Sequence, residues 1–245
     1  MDFPKGWQLP EAITSRLGER SGRQRAIIAE NHLLLVLHKV PHPDSADREG
    51  AIFWRSDDGE WHGGDGRRGI TTVREHLQTY DNAIEKLENK YEFANSAQEY
   101  FAVLEAIVPL HRATSNQYAA LQASREGLPE VREIINLRDI AGDIERAADL
   151  LHADAKNALD YHVARQAEQQ SQFANEMAQS GHRLNLMAAL FLPASVLAGA
   201  FGTSLNSGLE NSSPLLFWSV LGGSFLIGIV IWTFMNATSK SNNPH

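Results

Sequence analysis

The 245-residue chain has no cysteine, which excludes a disulfide framework and any cysteine-ligated zinc or iron–sulfur site. Charge is missing from one long stretch: between Arg183 and Lys240 the single charged side chain is Glu210. That acid lies between two apolar runs, Leu184 to Phe201 and Leu215 to Met235. Each run approaches the ~20 apolar residues that cross a hydrocarbon core of ~30 Å as a helix, so the pair reads as a membrane hairpin. The first twenty residues lack the apolar core of a signal peptide, because Lys5, Glu11, Arg16, Glu19 and Arg20 break it up. That pattern predicts a body kept in the cytosol. The loop from Gly202 to Pro214 has no Lys or Arg, whereas His182 and Arg183 precede the first run and Lys240 follows the second. The positive-inside rule then predicts a multi-pass protein of the inner (plasma) membrane with both termini cytoplasmic.

The chain as a whole has a mean hydropathy of -0.31, so most of it is polar and the hairpin is an appendage on a soluble body. The formal net charge of -8 argues against nucleic acid as a partner. Ten histidines are present, but His38 and His42 are separated by Pro41, which prevents a helix there, and no His-Glu-x-x-His motif occurs. The run Gly63 to Gly69, with Arg67 and Arg68, lacks the Gly-Lys-Ser/Thr ending of a phosphate-binding loop and reads as a linker. No nucleophile–base pair or metal-ligand set emerges, so the sequence is not read as an enzyme, and no prosthetic group is expected.

The first seventy residues carry strand signals. Ala26 to Ala29 and Leu33 to Leu37 are apolar bursts separated by Glu30 and Asn31, which predicts two strands joined by a tight turn or one bent strand. Ala51 to Arg55 and Glu60 to His62 flank Ser56-Asp57-Asp58-Gly59, whose Asp-Gly suits a hairpin turn. From Thr72 the period lengthens to that of a helix, through Val73, Leu77, Tyr80, Ile84, Leu87 and Tyr91. Thr72 with Glu75 and Ser96 with Glu99 have capping-box spacing and predict the starts of two antiparallel helices. Pro109 is expected to kink or divide the second of these. Gly127 is expected to end it, and Pro129 to occupy the first turn of a third helix.

No convincing stop follows Pro129. Ile140, Ile144, Ala147, Leu151, Ala155 and Ala158 sustain a helical stripe, and a helix unbroken to Phe201 would run for ~105 Å at 1.5 Å per residue. Beyond Tyr161 the stripe gives way to glutamine, asparagine and serine, leaving Phe173 and Met177 as the main large apolar residues. A helix polar nearly all round just before a membrane is either solvated or lines a wet passage.

The end of the first apolar run resembles the CorA family of divalent cation channels and transporters, including its zinc-associated ZntB branch. Phe191-Leu192-Pro193, Ala198-Gly199 and Gly202 carry the resemblance, followed by a short polar loop, a second span and a short tail. The family signature is Gly-Met-Asn. Gly202, Thr203 and Ser204 occupy those positions, so the glycine alone is retained. The resemblance implies a pentamer in the lipid bilayer with the first span lining the pore. The sequence offers Gly181, Leu184, Ala188, Leu192, Ser195 and Gly199 at spacings of three and four as that face, although helix-on-helix packing would use the same residues. Gly202, Thr203, Ser204 and Glu210 would form the outer mouth and its selectivity element, with Ser204 a shorter acceptor than the family's asparagine. In the second span, Ser219 with Gly223 and Ser224 with Gly228 suit close helix contact, and Trp218 and Trp232 stand as interfacial anchors. Asp139 and Asp143, one turn apart, with Glu145, Asp149 and Asp154 further on, are candidate regulatory metal ligands. Arg138, Arg146 and Lys156 nearby equally suit a solvated, ion-paired surface.

The expected architecture is an α+β membrane protein. A cytosolic β-rich head (1–70) precedes an antiparallel helical pair (71–127) and a long stalk helix (128–183) continuous with the first transmembrane span. A two-helix transmembrane hairpin (184–239, outer loop 202–214) and a cytosolic tail (240–245) follow. The expected function is an oligomeric channel or transporter for a divalent cation (Mg²⁺, Co²⁺, Ni²⁺ or Zn²⁺), the cation being cargo and a possible regulatory ligand. The alternative is a non-conducting scaffold or metal sensor derived from the same fold.

Overall fold

A computed structural model describes residues 3–4, 6–18, 22–41, 49–202, 215, 218–219, 222–223, 225–230 and 233. The chain divides into two compact units, Met1–Arg165 and Gln166–His245. In the first unit, β1 (Arg25–Ala29), β2 (His32–His38), β3 (Gly50–Arg55) and β4 (Trp61–Gly63) form an antiparallel sheet in the order β1-β2-β3-β4. Glu30 and Asn31 both adopt positive φ, 51° and 62°. They form the two-residue turn whose twist matches its flanking strands, and Ala29 pairs with His32 directly across it. This resolves the sequence alternative in favour of two strands. The turn between β3 and β4 places Gly59 at φ 92°, as Asp-Gly predicts, and Ser56 N–H donates to the Glu60 carbonyl at 2.9 Å.

β2 is buried on both faces. Leu33, Leu35 and Leu37 face the helices and join the main core. Leu34 and Val36 face the opposite side and pack with Ile27, Trp54 and Ile13 in a second cluster. Phe3, Trp7, Leu9 and Leu17 cover this second cluster, and Ile13 comes from a single helical turn, α1 (Glu11–Thr14). Sequence periodicity did not anticipate α1, because one turn is too short to show a period.

α2 (Thr71–Phe93) buries Val73, Leu77, Tyr80, Ile84 and Leu87, as predicted. Its start differs from the expected capping box. Ile70 is the N-cap and makes no side-chain cap bond, Thr72 Oγ1 donates to the Gly69 carbonyl at 2.8 Å, and the Glu75 carboxylate accepts from Arg67. Gly69, at φ 96°, turns the chain so that both the N–H and the hydroxyl of Thr72 reach its carbonyl, and α2 starts without a side-chain cap.

α3 (Ala97–Gly127) begins with the predicted capping box, Glu99 N–H donating to Ser96 Oγ at 3.3 Å and Ser96 N–H to Glu99 Oε2 at 3.0 Å. Pro109 lies inside this helix without dividing it. Both Pro109 and Glu105 are exposed, so the carbonyl that loses its partner can turn to water. At its other end, Gly127 meets β1 closely: a Cβ there would come within 2.2 Å of Ile28 Cδ1. Pro129 stands in the turn before the next helix, a correction to its predicted place in the first turn. α4 starts at Arg132 and continues as one helix to Gly202. Gly142 and Gly181 do not end it.

α4 enters the main core through Ile134, Leu137, Ala141, Ile144, Ala148, Leu151 and Ala155. Three members of the predicted stripe, Ile144, Leu151 and Ala155, are therefore core, whereas Ile140 is 38% exposed. The packed face lies a fraction of a turn away from the predicted one. α3 and α4 run antiparallel, with Tyr118 beside Gly142, His111 beside His152 and Tyr100 beside His162. Trp61 Nε1 donates to Glu133 Oε2 at 2.9 Å and ties the sheet to the first turn of α4.

Candidate functional site

In the second unit, the residues expected to line a pore fall on consecutive turns of α4. Leu184, Ala188, Leu192 and Ser195 are exposed, Leu184 at 67% and Leu192 at 60%. Gly181 and Gly199 face open space, since a Cβ on either would meet nothing within 4 Å. Ser195 Oγ donates to the Phe191 carbonyl at 2.9 Å. That bond spends the hydroxyl proton on the helix backbone and leaves the oxygen lone pairs to accept from water or to face a cation. Gly202 is the last residue of α4. Thr203, Ser204 and Glu210 lie outside the described residues, as do Ser224 and Trp232. Ser219 and Gly223 are helical, as is Trp218, which is 66% exposed; Gly228 is buried.

Among the described residues no helix is long and apolar enough to cross a membrane. The side chains at 190, 193, 194, 197, 198 and 200–202, much of the first apolar run, fall outside that description, as does a large part of the second run.

Asp139 and Asp143 are both solvent-facing. The Asp139 carboxylate lies 3.0 Å from Arg138 Nη2, and that of Asp143 lies 4.0 Å from Arg146 Nη1. Among the described residues no three His, Asp or Glu side chains converge as a metal site. Within one chain these acids are surface ion pairs, each of small energetic weight.

Two groups of polar residues in the first unit escaped the sequence reading. On the seam between α3 and α4, His111 Nε2 lies 3.2 Å from Asp149 Oδ1, and the rings of His111 and His152 stack 5.2 Å apart at 5°. The signal was present in the shared helical period, but it becomes visible only once the antiparallel pairing of the two helices is fixed. The second group lines a cleft of about 840 Å³ between β3 and the first turns of α2, walled by Val40, Ile52 and Phe53, with Lys39 and Arg67 among its lining residues. Arg67 is held there by Asp65 and Glu75, whose carboxylates raise its pKa. His76 lines the same cleft. Burial pushes its pKa down to about 4, against a smaller upward pull from the His38 carbonyl, and its Nε2 has no partner among the described residues. Tyr80, whose hydroxyl donates to the same carbonyl at 3.0 Å, has its pKa raised by burial.

Comparison with known proteins gives this arrangement a context. Residues 67–236 match the family described as CorA-like Mg2+ transporter protein. Among solved structures, the full-length CmaX protein is similar with a TM-score of 0.50 and 14% identity, over 89% of this chain and 79% of that one. A complete CorA magnesium transporter from Methanocaldococcus jannaschii aligns with a TM-score of 0.36 and 16% identity, over 89% and 79% of the two chains. No curated protein matches. The CmaX likeness is one of fold. The family match takes in more than half of the chain, and the chain belongs to the CorA-like Mg2+ transporter family.

Proposed function

We propose that this protein is a homo-oligomeric, pentameric membrane channel or transporter for divalent metal cations, with its pore lined by the first transmembrane helix. The observation that carries the proposal is the face Gly181, Leu184, Ala188, Leu192, Ser195 and Gly199, exposed or open on an unbroken helix and free of charge. In a symmetric assembly each residue near the axis meets its own copies, so an uncharged face avoids like-charge repulsion within lipid. Membrane insertion is supported by the absence of any charge but Glu210 between Arg183 and Lys240. Leu184 and Leu192 are suited to rings that dry the passage, and Ser195 to a ring of hydroxyl oxygens between them and the mouth.

The outer mouth at Gly202, Thr203 and Ser204 sets selectivity, and Glu210 concentrates cations before it. Magnesium gives up its waters reluctantly, so a mouth that handles it contacts the hydration shell. Serine in place of asparagine widens the ring and shortens its reach, which favours low discrimination among Mg²⁺, Co²⁺, Ni²⁺ and Zn²⁺. Asp139 and Asp143 serve as regulatory ligands only if a neighbouring copy displaces their arginine partners. Reconstitution in liposomes tests the proposal: the wild type admits a divalent cation down a gradient, and Ser195→Trp reduces that flux severalfold or more. Impermeability to all four ions overturns it.

The altered signature favours one other reading, a membrane-anchored scaffold or metal sensor that no longer conducts. The double substitution Thr203→Met, Ser204→Asn separates the two, because gain of flux from a silent wild type supports the scaffold.

A further inference from the structure

The cleft between β3 and the first turns of α2 lies within the first unit and has no part in the transport reading. Its frame is fixed backbone. Gly64 N–H donates to the Ile52 carbonyl at 2.8 Å and Gly63 N–H to that of Arg67 at 2.8 Å, which lays the loop 63–69 against β3. Glycine is required for this approach, since a Cβ at Gly64 would come within 2.5 Å of Ile52 Cγ1. Asp65 and Arg67 from this loop line the cleft together with Glu75 and His76 from α2, opposite no charge but that of Lys39.

The charges of the described lining, Lys39 and Arg67 against Asp65 and Glu75, cancel. A bare anion or cation gains little from such a lining, whereas a neutral ligand whose edges carry both donors and acceptors suits it. Arg67 gives its Nε–H to Asp65 and an Nη1–H to Glu75. These bonds orient the guanidinium, and the rest of its five N–H groups are unspent among the described residues. His76 Nε2 is enclosed and has no partner among the described residues, a polar atom that a ligand would satisfy. We propose that this cleft binds a guanine base carried by a nucleoside or nucleotide. Guanine presents two adjacent acceptors, O6 and N7, to an arginine, and two adjacent donors, N1–H and the 2-amino group, to a carboxylate. Adenine and cytosine offer a carboxylate no such pair of donors. The flat face of the base lies along Ile52 and Phe53, and a volume of about 840 Å³ is of the size that holds a nucleotide.

Isothermal titration of the full chain in detergent tests the site with GMP, CMP and ribose 5-phosphate, the last sharing the sugar and phosphate without the base. Saturable binding of GMP is expected, about tenfold or more tighter than that of CMP or ribose 5-phosphate. Arg67→Gln removes the arginine contact and Thr79→Trp fills the cleft from an exposed position on α2. Each is expected to weaken GMP binding by about tenfold or more, while Arg74→Gln, on α2 outside the cleft, binds as the wild type does. Absence of GMP binding to the wild type overturns the proposal, and so does equal binding of ribose 5-phosphate or CMP. Undiminished affinity in both Arg67→Gln and Thr79→Trp overturns the placement in this cleft. Ion flux is not part of the readout, so failure of the transport reading leaves the result unaffected.

Discussion

Gln117 is fully buried in α3, and neither its Nε2 nor its Oε1 has a partner among the described residues. A buried amide without bonds costs about 1–3 kcal/mol of desolvation. Gln117→Leu, close to it in volume, is expected to raise the Tm of the full chain in detergent by several degrees, read by thermal unfolding. His76 carries a pH dependence. Its pKa in the fold is about 4 against 6.5 in the open chain, so the unfolded state takes up the proton first. Above pH 6.5 both states are neutral and the full stability is present. As pH falls from 6.5 toward 4, stability is lost, by at most about 3 kcal/mol, and below 4 the loss levels off. His76→Phe is expected to flatten that part of a plot of Tm against pH, and an identical slope in the variant would refute the assignment.

The α2–α3 connection shows how local chemistry sets an element boundary. Ser96 caps α3 while Glu99 closes the reciprocal bond, and the Asn95 N–H and Ser96 hydroxyl hold the Glu99 carboxyl below its usual range. Ser96→Ala is expected to cost about 1 kcal/mol, seen as a lower Tm together with faster amide exchange in the first turn of α3. The same capping spacing at Thr72 and Glu75 had no such outcome, because the turn at Gly69 and the Arg67 guanidinium claimed those side chains first. A motif of side chains specifies a cap only where the chain before it leaves them free. α4 shows the complementary case. Its length was legible because no strong stop follows Pro129. Its buried face was not, since Ile140 and Leu137 are equally apolar and only packing against α3 and the sheet places Leu137 inside.

For the assembled protein, the pattern of charge around the apolar runs makes one further prediction. A single cysteine at Asn206 is expected to react with an impermeant maleimide added outside right-side-out vesicles, and one at Ser171 only after permeabilisation. Labelling of both from the same side would remove the membrane hairpin. Within the first unit, the sheet and helices share one core: Leu35 and Phe53 belong to the same cluster as Ile107 and Leu137. Loosening the head therefore loosens the helical pair. In the second unit, the stretch of α4 through Gln166–Ser180 is exposed throughout.

The two strand pairs, the Ser96 cap, the unbroken α4 and the uncharged apolar runs follow from local properties, namely turn chemistry, helical period and the cost of charge in lipid. Neighbouring residues suffice to state these. The face of α4 that is core, the displacement of the Thr72 cap, the covering of the second sheet face by Phe3 to Leu17 and the meeting of His111 with Asp149 and His152 depend on residues distant in sequence. They were settled by which surfaces pack together, because apolar burial is non-directional and many pairings satisfy one pattern.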